Sequence, residues 1–279
     1  MKFAYFPGCK ISFYMEDYGL SFEALMENLG VTLVRLPFNC CGYPARSKNF
    51  EVSMLSSIKN YALARKYNLD IITPCKCCFG QFKHSTYWYG QNKELKKKID
   101  DILARENLFW DGNTQIKHLL SFLHKDFGIH EIEKRIQKKL PAKKIAVQYG
   151  CHALRPFSIT GFDNPYAPKI FEELLAVTGV KTVEWSKSTE CCGNPIFNGN
   201  PKLSLKILQN KIKTARDAGA DYICTACTHC QMQYEMIQYQ KQFNNHTPRS
   251  VLFTQILGAA LGINKNKLST TDRLPLFPC

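Results

Sequence analysis

The feature of this 279-residue sequence that most constrains its fold is a cysteine pattern that occurs twice. Each copy consists of a single cysteine, then an adjacent pair, then a Cys-x-x-Cys motif. The first copy contains Cys9, Cys40, Cys41, Cys75 and Cys78, and the second contains Cys151, Cys191, Cys192, Cys227 and Cys230. Five thiols are one more than a tetrahedral zinc site or an ordinary iron–sulfur cube uses. The surplus indicates redox chemistry.

A disulfide framework is a poor explanation for the thirteen cysteines. The chain is much larger than disulfide-stapled domains, the count is odd, and the first ten residues do not form an export signal. Metal binding is favoured, and zinc in one of the two motifs stays open as an alternative. Cys77, Cys224 and Cys279 have no counterpart in the other copy. We predict that none of them is a ligand, although Cys77 lies within a ligand loop.

The net charge of +14 permits a nucleic acid, an anionic membrane surface or an acidic protein as partner. The basic residues are scattered and alternate with acidic ones at helical spacing, which is typical of solvated helix faces. No nucleic-acid motif accompanies them, so we predict no nucleic-acid binding. No apolar run reaches the ~20 residues that span a bilayer. The sequence therefore predicts a cytoplasmic protein without a transmembrane segment.

Sequence similarity between the two copies extends beyond the cysteines. The segments KFAYFPGC and KIAVQYGC, NCCGYP and ECCGNP, and DIITPC and DYICTAC correspond in order. This correspondence pairs Cys227, not Cys224, with Cys75. It divides the chain into a first cysteine-rich domain at 1–90, a helical insert or bridge at 91–143, a second cysteine-rich domain at 144–263 and an extended tail at 264–279.

Within each copy, short apolar runs alternate with segments of helical periodicity. This alternation predicts an α/β protein with two tandem pseudo-repeated domains, each a small, mostly parallel sheet with flanking helices. In the insert, 99–103, 116–123 and 129–136 are predicted to be helical. The cysteines follow the carboxyl ends of predicted strands, where parallel sheets bind ligands. The glycines beside them would let backbone approach a cluster, and we predict a binding role for Gly8, Gly42, Gly150 and Gly193.

The duplicated arrangement of a single cysteine, a Cys-Cys-Gly triplet and a Cys-x-x-Cys motif resembles the signature of the heterodisulfide reductase B subunit, which has two cysteine-rich CCG domains. The resemblance covers Cys9 to about Glu235. It implies two noncubane [4Fe-4S] clusters, one bound by each five-cysteine set. It further implies a disulfide reduced in one-electron steps between them, so that the chain is the catalytic subunit of an oxidoreductase.

The same resemblance implies particular partners. These are a ferredoxin-like [4Fe-4S] protein, similar to the C subunit of that enzyme, and a flavin-containing protein, similar to its A subunit, together with a small disulfide or dithiol substrate. Proteins with this duplicated motif also serve succinate or fumarate reductases and sulfur-metabolism complexes. A protein that transfers electrons to or from a quinone is therefore the alternative, with peripheral attachment to the inner face of the membrane through partners.

Charged side chains beside the cysteines are candidates for substrate or proton chemistry. His152 follows Cys151 and could deliver a proton to a departing thiolate. Arg155, Lys10 and Lys76 could contact an anionic substrate or offset the charge of a reduced cluster. A purely supporting role, hydrogen bonding to ligand sulfurs, is the alternative for His152 and is favoured for His229.

Overall fold

The computed structural model describes residues 1–239 and 247–270, with side chains from 236 to 239 excluded. It contains two four-stranded sheets in which every neighbouring pair of strands is parallel. The first sheet, in the order β2-β1-β3-β4, is built from β1 (Lys2–Tyr5), β2 (Thr32–Arg35), β3 (Ile71–Thr73) and β4 (Ile116–His118). The second, in the order β6-β5-β7-β8, is built from β5 (Lys144–Gln148), β6 (Lys181–Val183), β7 (Tyr222–Thr225) and β8 (Arg249–Leu252). The predicted fold class is confirmed.

Helices connect the strands of each sheet. In the first half they are α1 (Gly8–Tyr14), α2 (Glu16–Asn28), α3 (Phe50–Lys66), α4 (Lys76–Gln91), α5 (Lys93–Arg105), α6 (Leu119–Ser121) and α7 (Ile129–Glu133), with a π-helix at Phe122–Gly128. In the second half they are α8 (Phe157–Thr160), α9 (Ile170–Ala176), α10 (Pro201–Asp217), α11 (Thr228–Tyr239) and α12 (Phe253–Ala260). Short 3₁₀ helices follow each Cys-Cys-Gly triplet, at Tyr43–Ala45 and Asn194–Ile196. Within the described ranges, no helix is both long and apolar enough to cross a bilayer.

Corresponding helices of the two halves have the same type of cap at their amino ends, an asparagine side chain. The side chain of Asn49 caps α3 by accepting a hydrogen bond from the amide of Val52, and Asn200 caps α10 through Leu203 in the same way. Two residues beyond α3 the chain turns at Asn68, which has a φ of 52°. The caps recur in both copies because each copy encodes the same supersecondary unit.

The prediction of a helix at 116–123 is wrong in its first part. Ile116–His118 is the strand β4, in which Ile116 pairs with Ile71 and His118 with Thr73, and the helix begins only at Leu119. Three strand residues are too few to display a two-residue alternation, and the apolar run continues into a helix. The fourth strand of the first sheet therefore lies in the segment predicted to be a helical insert.

The carboxyl-terminal part of the described chain completes the second sheet. Strand β8 pairs with β7, and α12 follows it and is buried along its whole length. Residues 265–269 form turns, and Leu268 packs against Gly258 and is fully buried, so this part of the predicted tail is not extended. The rest of the predicted tail, including Cys279, lies outside the described residues.

Buried polar contacts connect the two halves. His118 accepts a hydrogen bond at Nδ1 from the amide of Leu120, so its Nε2 carries the proton and donates to the carbonyls of Pro74 and Ala226, each at 3.2 Å. Those carbonyls immediately precede Cys75 and Cys227. Burial lowers the pKa of His118 to about 3, which keeps the ring neutral in this role. The two cysteine-rich edges are thereby held against each other.

Candidate metal centre

The five cysteines of each copy converge at the carboxyl edge of their own sheet. Cys9 lies in the first turn of α1, directly after β1, and Cys75 precedes α4, directly after β3. Cys78 is in the first turn of α4, while the Cys40-Cys41 pair lies in the loop after β2. In the second copy the Cys191-Cys192 pair again follows β6, and Cys227 and Cys230 lie at the start of α11 after β7, whereas Cys151 follows β5 in a turn and not in a helix. We call these groups the first and second thiol sets.

Within each set the thiols contact one another in the same order. In the first set the contacts run Cys9–Cys40–Cys41–Cys78–Cys75, with 3.9 Å between the sulfurs of Cys9 and Cys40. In the second set they run Cys151–Cys191–Cys192–Cys230–Cys227. The structure thus brings all ten predicted ligands into two matched groups, and their role as ligands stays a prediction.

The glycines of the motifs make room for the sulfurs. A Cβ on Gly8 would lie 2.8 Å from the sulfur of Cys78, and one on Gly150 would lie 3.4 Å from that of Cys230. Both residues have positive φ, at 69° and 72°, which favours glycine independently of space. The amides of Gly42 and Gly193 point at the sulfurs of Cys40 and Cys191, at 3.5 and 3.4 Å. The glycines therefore shape the space around the thiols.

Neighbouring thiols lower the pKa of two cysteines in each set, which are Cys40 and Cys75 in the first and Cys191 and Cys227 in the second. Contacts with the thiols of Cys41 and Cys9 lower the pKa of Cys40, and contacts with those of Cys151 and Cys192 do the same for Cys191. Thiolates are the form of cysteine that binds metals. Each set therefore offers a preformed anionic sulfur among soft donors, as an iron–sulfur or zinc site requires.

The two thiol sets touch each other. The thiol of Cys75 contacts that of Cys227, and the ligand atoms of Cys75, Cys227 and His229 all lie within 4.8 Å of one another. Cys77, which we predicted to be a bystander, is buried with its sulfur 3.7 Å from that of Cys227. Cys224 is buried on β7, as expected of a small apolar residue. The contacts of Cys75 and Cys77 with Cys227 exist because the two halves of the chain pack against each other.

His152 lies at this junction. Its Nδ1 is 3.1 Å from the sulfur of Cys77, and its Nε2 is 3.1 Å from the hydroxyl of Tyr43, which belongs to the other half. With the hydroxyl donating to Nε2, the ring carries its proton on Nδ1, facing the thiol. Burial lowers the pKa of His152 to about 4. The neutral ring is thus positioned between the halves.

The other predicted side chains lie at different distances from the junction. Lys76 is buried, and it lines a narrow cavity together with Cys77, His152, His229 and the second thiol set. Lys10 is half-buried beside the first set, with its Nζ 5.0 Å from the ring centre of Tyr14. Arg155 is exposed and donates to the carbonyl of Thr189, so it does not reach the cavity. A substrate contact by Arg155 is not supported by this placement.

A match to a known protein family shows what the repeated unit is. The model of the CCG cysteine-rich domain matches residues 3–83 and again residues 145–235. The chain belongs to the CCG cysteine-rich domain family. The two CCG domains coincide with the two thiol sets, and the duplication inferred from the sequence is confirmed.

Relatives of known complexes share nearly the whole chain. The B subunit of the ferredoxin/F(420)H(2)-dependent CoB-CoM heterodisulfide reductase of Methanosarcina acetivorans is 28% identical over 96% of this chain and 91% of its own length. The membrane anchor subunit of the 8-methylmenaquinol:fumarate reductase of Wolinella succinogenes is 30% identical over 96% of this chain and 94% of its own. The predicted relation to the heterodisulfide reductase B subunit is confirmed.

A solved structure shares the fold. The crystal structure of a hypothetical protein from Helicobacter pylori superposes with a TM-score of 0.73 over 96% of this chain at 16% identity, and this chain spans half of that one. At this identity the likeness shows only the fold of the paired CCG domains.

Sequence reasoning missed Tyr43, His118 and Lys211. Tyr43 follows the first Cys-Cys-Gly triplet, where the second copy has Asn194, and this difference between the copies was the available signal. Lys211 falls on the helix face that also carries Ser204, Leu208 and Ala215, all of them buried. Its spacing from those residues could have shown that it is not on the solvent side.

Proposed function

We propose that this chain is the iron–sulfur subunit of a heterodisulfide reductase-like complex, and that it reduces a small disulfide or oxidises two thiols. The observation that supports this most is the meeting of the two matched thiol sets at Cys75 and Cys227. The adjoining narrow cavity is lined by all five thiols of the second set, and the first half contributes Lys76 and Cys77 to its wall. The Methanosarcina acetivorans relative, which is part of a CoB-CoM heterodisulfide reductase, favours the same reaction class.

The residues of each set fit a noncubane [4Fe-4S] cluster. Five soft donors are present, one more than a cube uses, and Gly8 and Gly150 leave the space beside Cys78 and Cys230 that a side chain would fill. In this proposal Cys9, Cys40, Cys41, Cys75 and Cys78 hold one cluster, and Cys151, Cys191, Cys192, Cys227 and Cys230 hold the other. Bound clusters supply and accept single electrons.

The chain's own residues supply protons and position the substrate. Reduction of a disulfide consumes two electrons and two protons and yields two thiols. His152 holds a proton at Nδ1, at the wall of the cavity and next to Cys77, and Tyr43 orients the ring through Nε2. In our proposal the negative charge that develops on reduction favours protonation of the ring, and the imidazolium then gives its Nδ1 proton to a departing thiolate and returns to the neutral form. Lys76 contributes positive charge to the wall on the side of the second set.

We expect His152→Gln to lower kcat for disulfide reduction by about a hundredfold, because glutamine preserves a polar contact but cannot transfer a proton. Turnover is measured anaerobically with a reduced viologen dye as electron donor, and iron content should be unchanged. His130→Gln, on the exposed side of α7, is the matched control and should retain full turnover. Full turnover in His152→Gln would assign the ring a supporting role only.

The second candidate is a quinone-interacting component of a fumarate reductase-type complex. It is favoured by the membrane anchor relative from Wolinella succinogenes, and it implies attachment to a membrane through partners.

The main proposal also includes partner proteins, namely a ferredoxin-like subunit and a flavin-containing subunit. The net charge of +14 on this chain would suit docking on acidic surfaces of such partners.

The same assay distinguishes the two candidates. Iron-loaded protein is supplied with a reduced viologen dye and either the CoB–CoM heterodisulfide or a water-soluble menaquinone analogue. Our proposal predicts dye oxidation that depends on the disulfide. Oxidation that depends only on the quinone would support the second candidate.

A further inference from the structure

Two buried lysines, Lys76 and Lys211, stand beside the second thiol set, and the residues that correspond to them beside the first set, Thr228 and Asn60, are neutral. The hydroxyls of Ser53 and Ser204 donate to the carbonyls of Gly42 and Gly193, both at 2.8 Å, which aligns α3 with α10. Lys211 therefore corresponds to Asn60. The pairing of Cys75 with Cys227 likewise makes Lys76 correspond to Thr228. The two copies thus differ in charge next to their thiols.

Lys211 is fully buried in α10, and its Nζ contacts the loop that carries the second Cys-Cys pair. It donates to the carbonyl of Glu190 at 3.2 Å and to that of Lys187. Burial lowers its pKa to about 8, while the thiolates of Cys230 and Cys192 act in the opposite direction. An ammonium group at this place interacts with thiolates through dry protein, where charge is poorly screened.

Asn60 fills the corresponding place in the first copy without a charge. Its amide nitrogen donates to the carbonyls of Asn39 and Cys40 at 3.2 and 3.3 Å, and its oxygen accepts from the amide of Asn39 at 3.1 Å. Both side chains therefore hold the backbone of the residue that precedes the Cys-Cys pair. The geometry is shared and only the charge differs.

Lys76 is a second buried lysine, supplied by the first copy to the site of the second; burial lowers its pKa, while Cys230 and Cys227 act in the opposite direction. It is 2% exposed, and its Nζ donates to the carbonyl of Gln148 at 3.2 Å. The ammonium lies 4.6 Å from the ring centre of Phe171 and 5.2 Å from that of Tyr149. Thr228, at the corresponding position, instead places its hydroxyl 3.1 Å from the sulfur of Cys75.

Other charges near the sets offset this difference only in part, because Glu172 acts on Lys76 but is not among the groups that act on Lys211. Glu190 pairs with Lys187 at 3.0 Å, and its side chain is half-exposed. Glu172 accepts a hydrogen bond from Tyr149, burial raises its pKa, and its charge favours the protonated form of Lys76. Lys10 beside the first set is only half-buried, so water screens its charge. The two buried lysines therefore make the environment of the second set the more positive of the two.

We propose that Lys76 and Lys211 give the second centre a higher reduction potential than the first, so that an electron entering the chain settles on the second. This inference rests on the proposed function, since it requires that both thiol sets hold iron–sulfur clusters. Reduction adds one negative charge to a cluster, and a fixed cation nearby stabilises the reduced form. Net charge and solvent exposure are among the factors that set cluster potentials.

The test is an anaerobic redox titration of the iron-loaded protein followed by electron paramagnetic resonance. Cys192→Ala and Cys41→Ala variants, each retaining one centre, assign the two signals. We expect the second centre of the unmodified protein to be reduced at the higher potential. Lys211→Asn, which installs the residue of the first copy, should lower that potential by about 59 mV or more, a tenfold loss in the equilibrium constant of one-electron reduction.

Lys213→Asn is the matched control, because it removes the same charge from an exposed position of α10. Lys76→Thr is a second variant with the same expected direction. The inference would be overturned if the two centres had equal reduction potentials at full iron content. It would also be overturned if the second centre had the same potential in Lys211→Asn as in Lys213→Asn. Either result would leave the proposed function intact. An unmodified protein without iron would overturn both.

Discussion

Replacing Cys41 with alanine is expected to remove about half of the bound iron while leaving the secondary structure in place. Cys41 is 3% exposed, and its thiol stands between those of Cys40 and Cys78 in the contact order of the first set. No other thiol of the first set can move into that place without leaving its own. The helices and strands around it are stabilised by the hydrophobic core and do not depend on one sulfur.

Iron and acid-labile sulfide content and far-ultraviolet circular dichroism measure the two parts of this prediction. Cys192→Ala should give the same loss at the second set, because Cys192 has the same place in the order and the same 3% exposure. Cys224→Ala is the matched control, since this thiol is equally buried but belongs to neither set, and its iron should be unchanged. Undiminished iron in Cys41→Ala with unchanged spectra would exclude Cys41 as a ligand.

Gly80→Ala is expected to destabilise the protein by about 1–3 kcal/mol and to disturb the junction of the two sets. Gly80 lies in α4, and a Cβ there would stand 2.3 Å from the carbonyl oxygen of His152 and 3.0 Å from the carbonyl carbon. The obstacle is backbone, so the methyl group can be accommodated only if the segment of Cys151 and His152 moves away from α4. The second set loses its geometry as a result.

Gly90→Ala in the same helix provides the comparison. A Cβ at Gly90 meets nothing within 4 Å, so alanine should stabilise the helix by about 0.5–1 kcal/mol. Anaerobic urea unfolding followed by circular dichroism measures both variants, and iron content reports on the second set. If Gly80→Ala were as stable as Gly90→Ala, the close packing of the two CCG domains at this point would be wrong.

Much of each CCG domain could be predicted from the sequence because its signals are local and repeated. The helix at Phe50–Lys66 is preceded by an Asn cap and followed by Asn68 in a left-handed conformation. The Asn cap recurs at α10. The cysteine pattern places the thiols after strands, and parallel strands bring their carboxyl ends to one edge. Local structure and pattern together therefore indicated the two thiol sets.

Other features depend on partners that are distant in the sequence. Strand β4 is defined by its pairing with β3, and nothing within Ile116–His118 distinguishes it from the helix that follows. Cys77 has no counterpart in the second copy, so its contact with Cys227 arises only from the way the halves pack. The helical spacing of Lys211 places it on the buried face of α10, but its contacts with the carbonyls of Lys187 and Glu190 depend on how α10 packs against their loop.

The central claim is that one chain holds two iron–sulfur centres, one in each thiol set. Quantitation of iron, acid-labile sulfide and zinc in anaerobically purified, unmodified protein tests it most directly. We predict a coloured protein with about eight iron atoms per chain, matched by sulfide, with negligible zinc. About four iron atoms per chain, or a colourless protein with stoichiometric zinc, would contradict the claim.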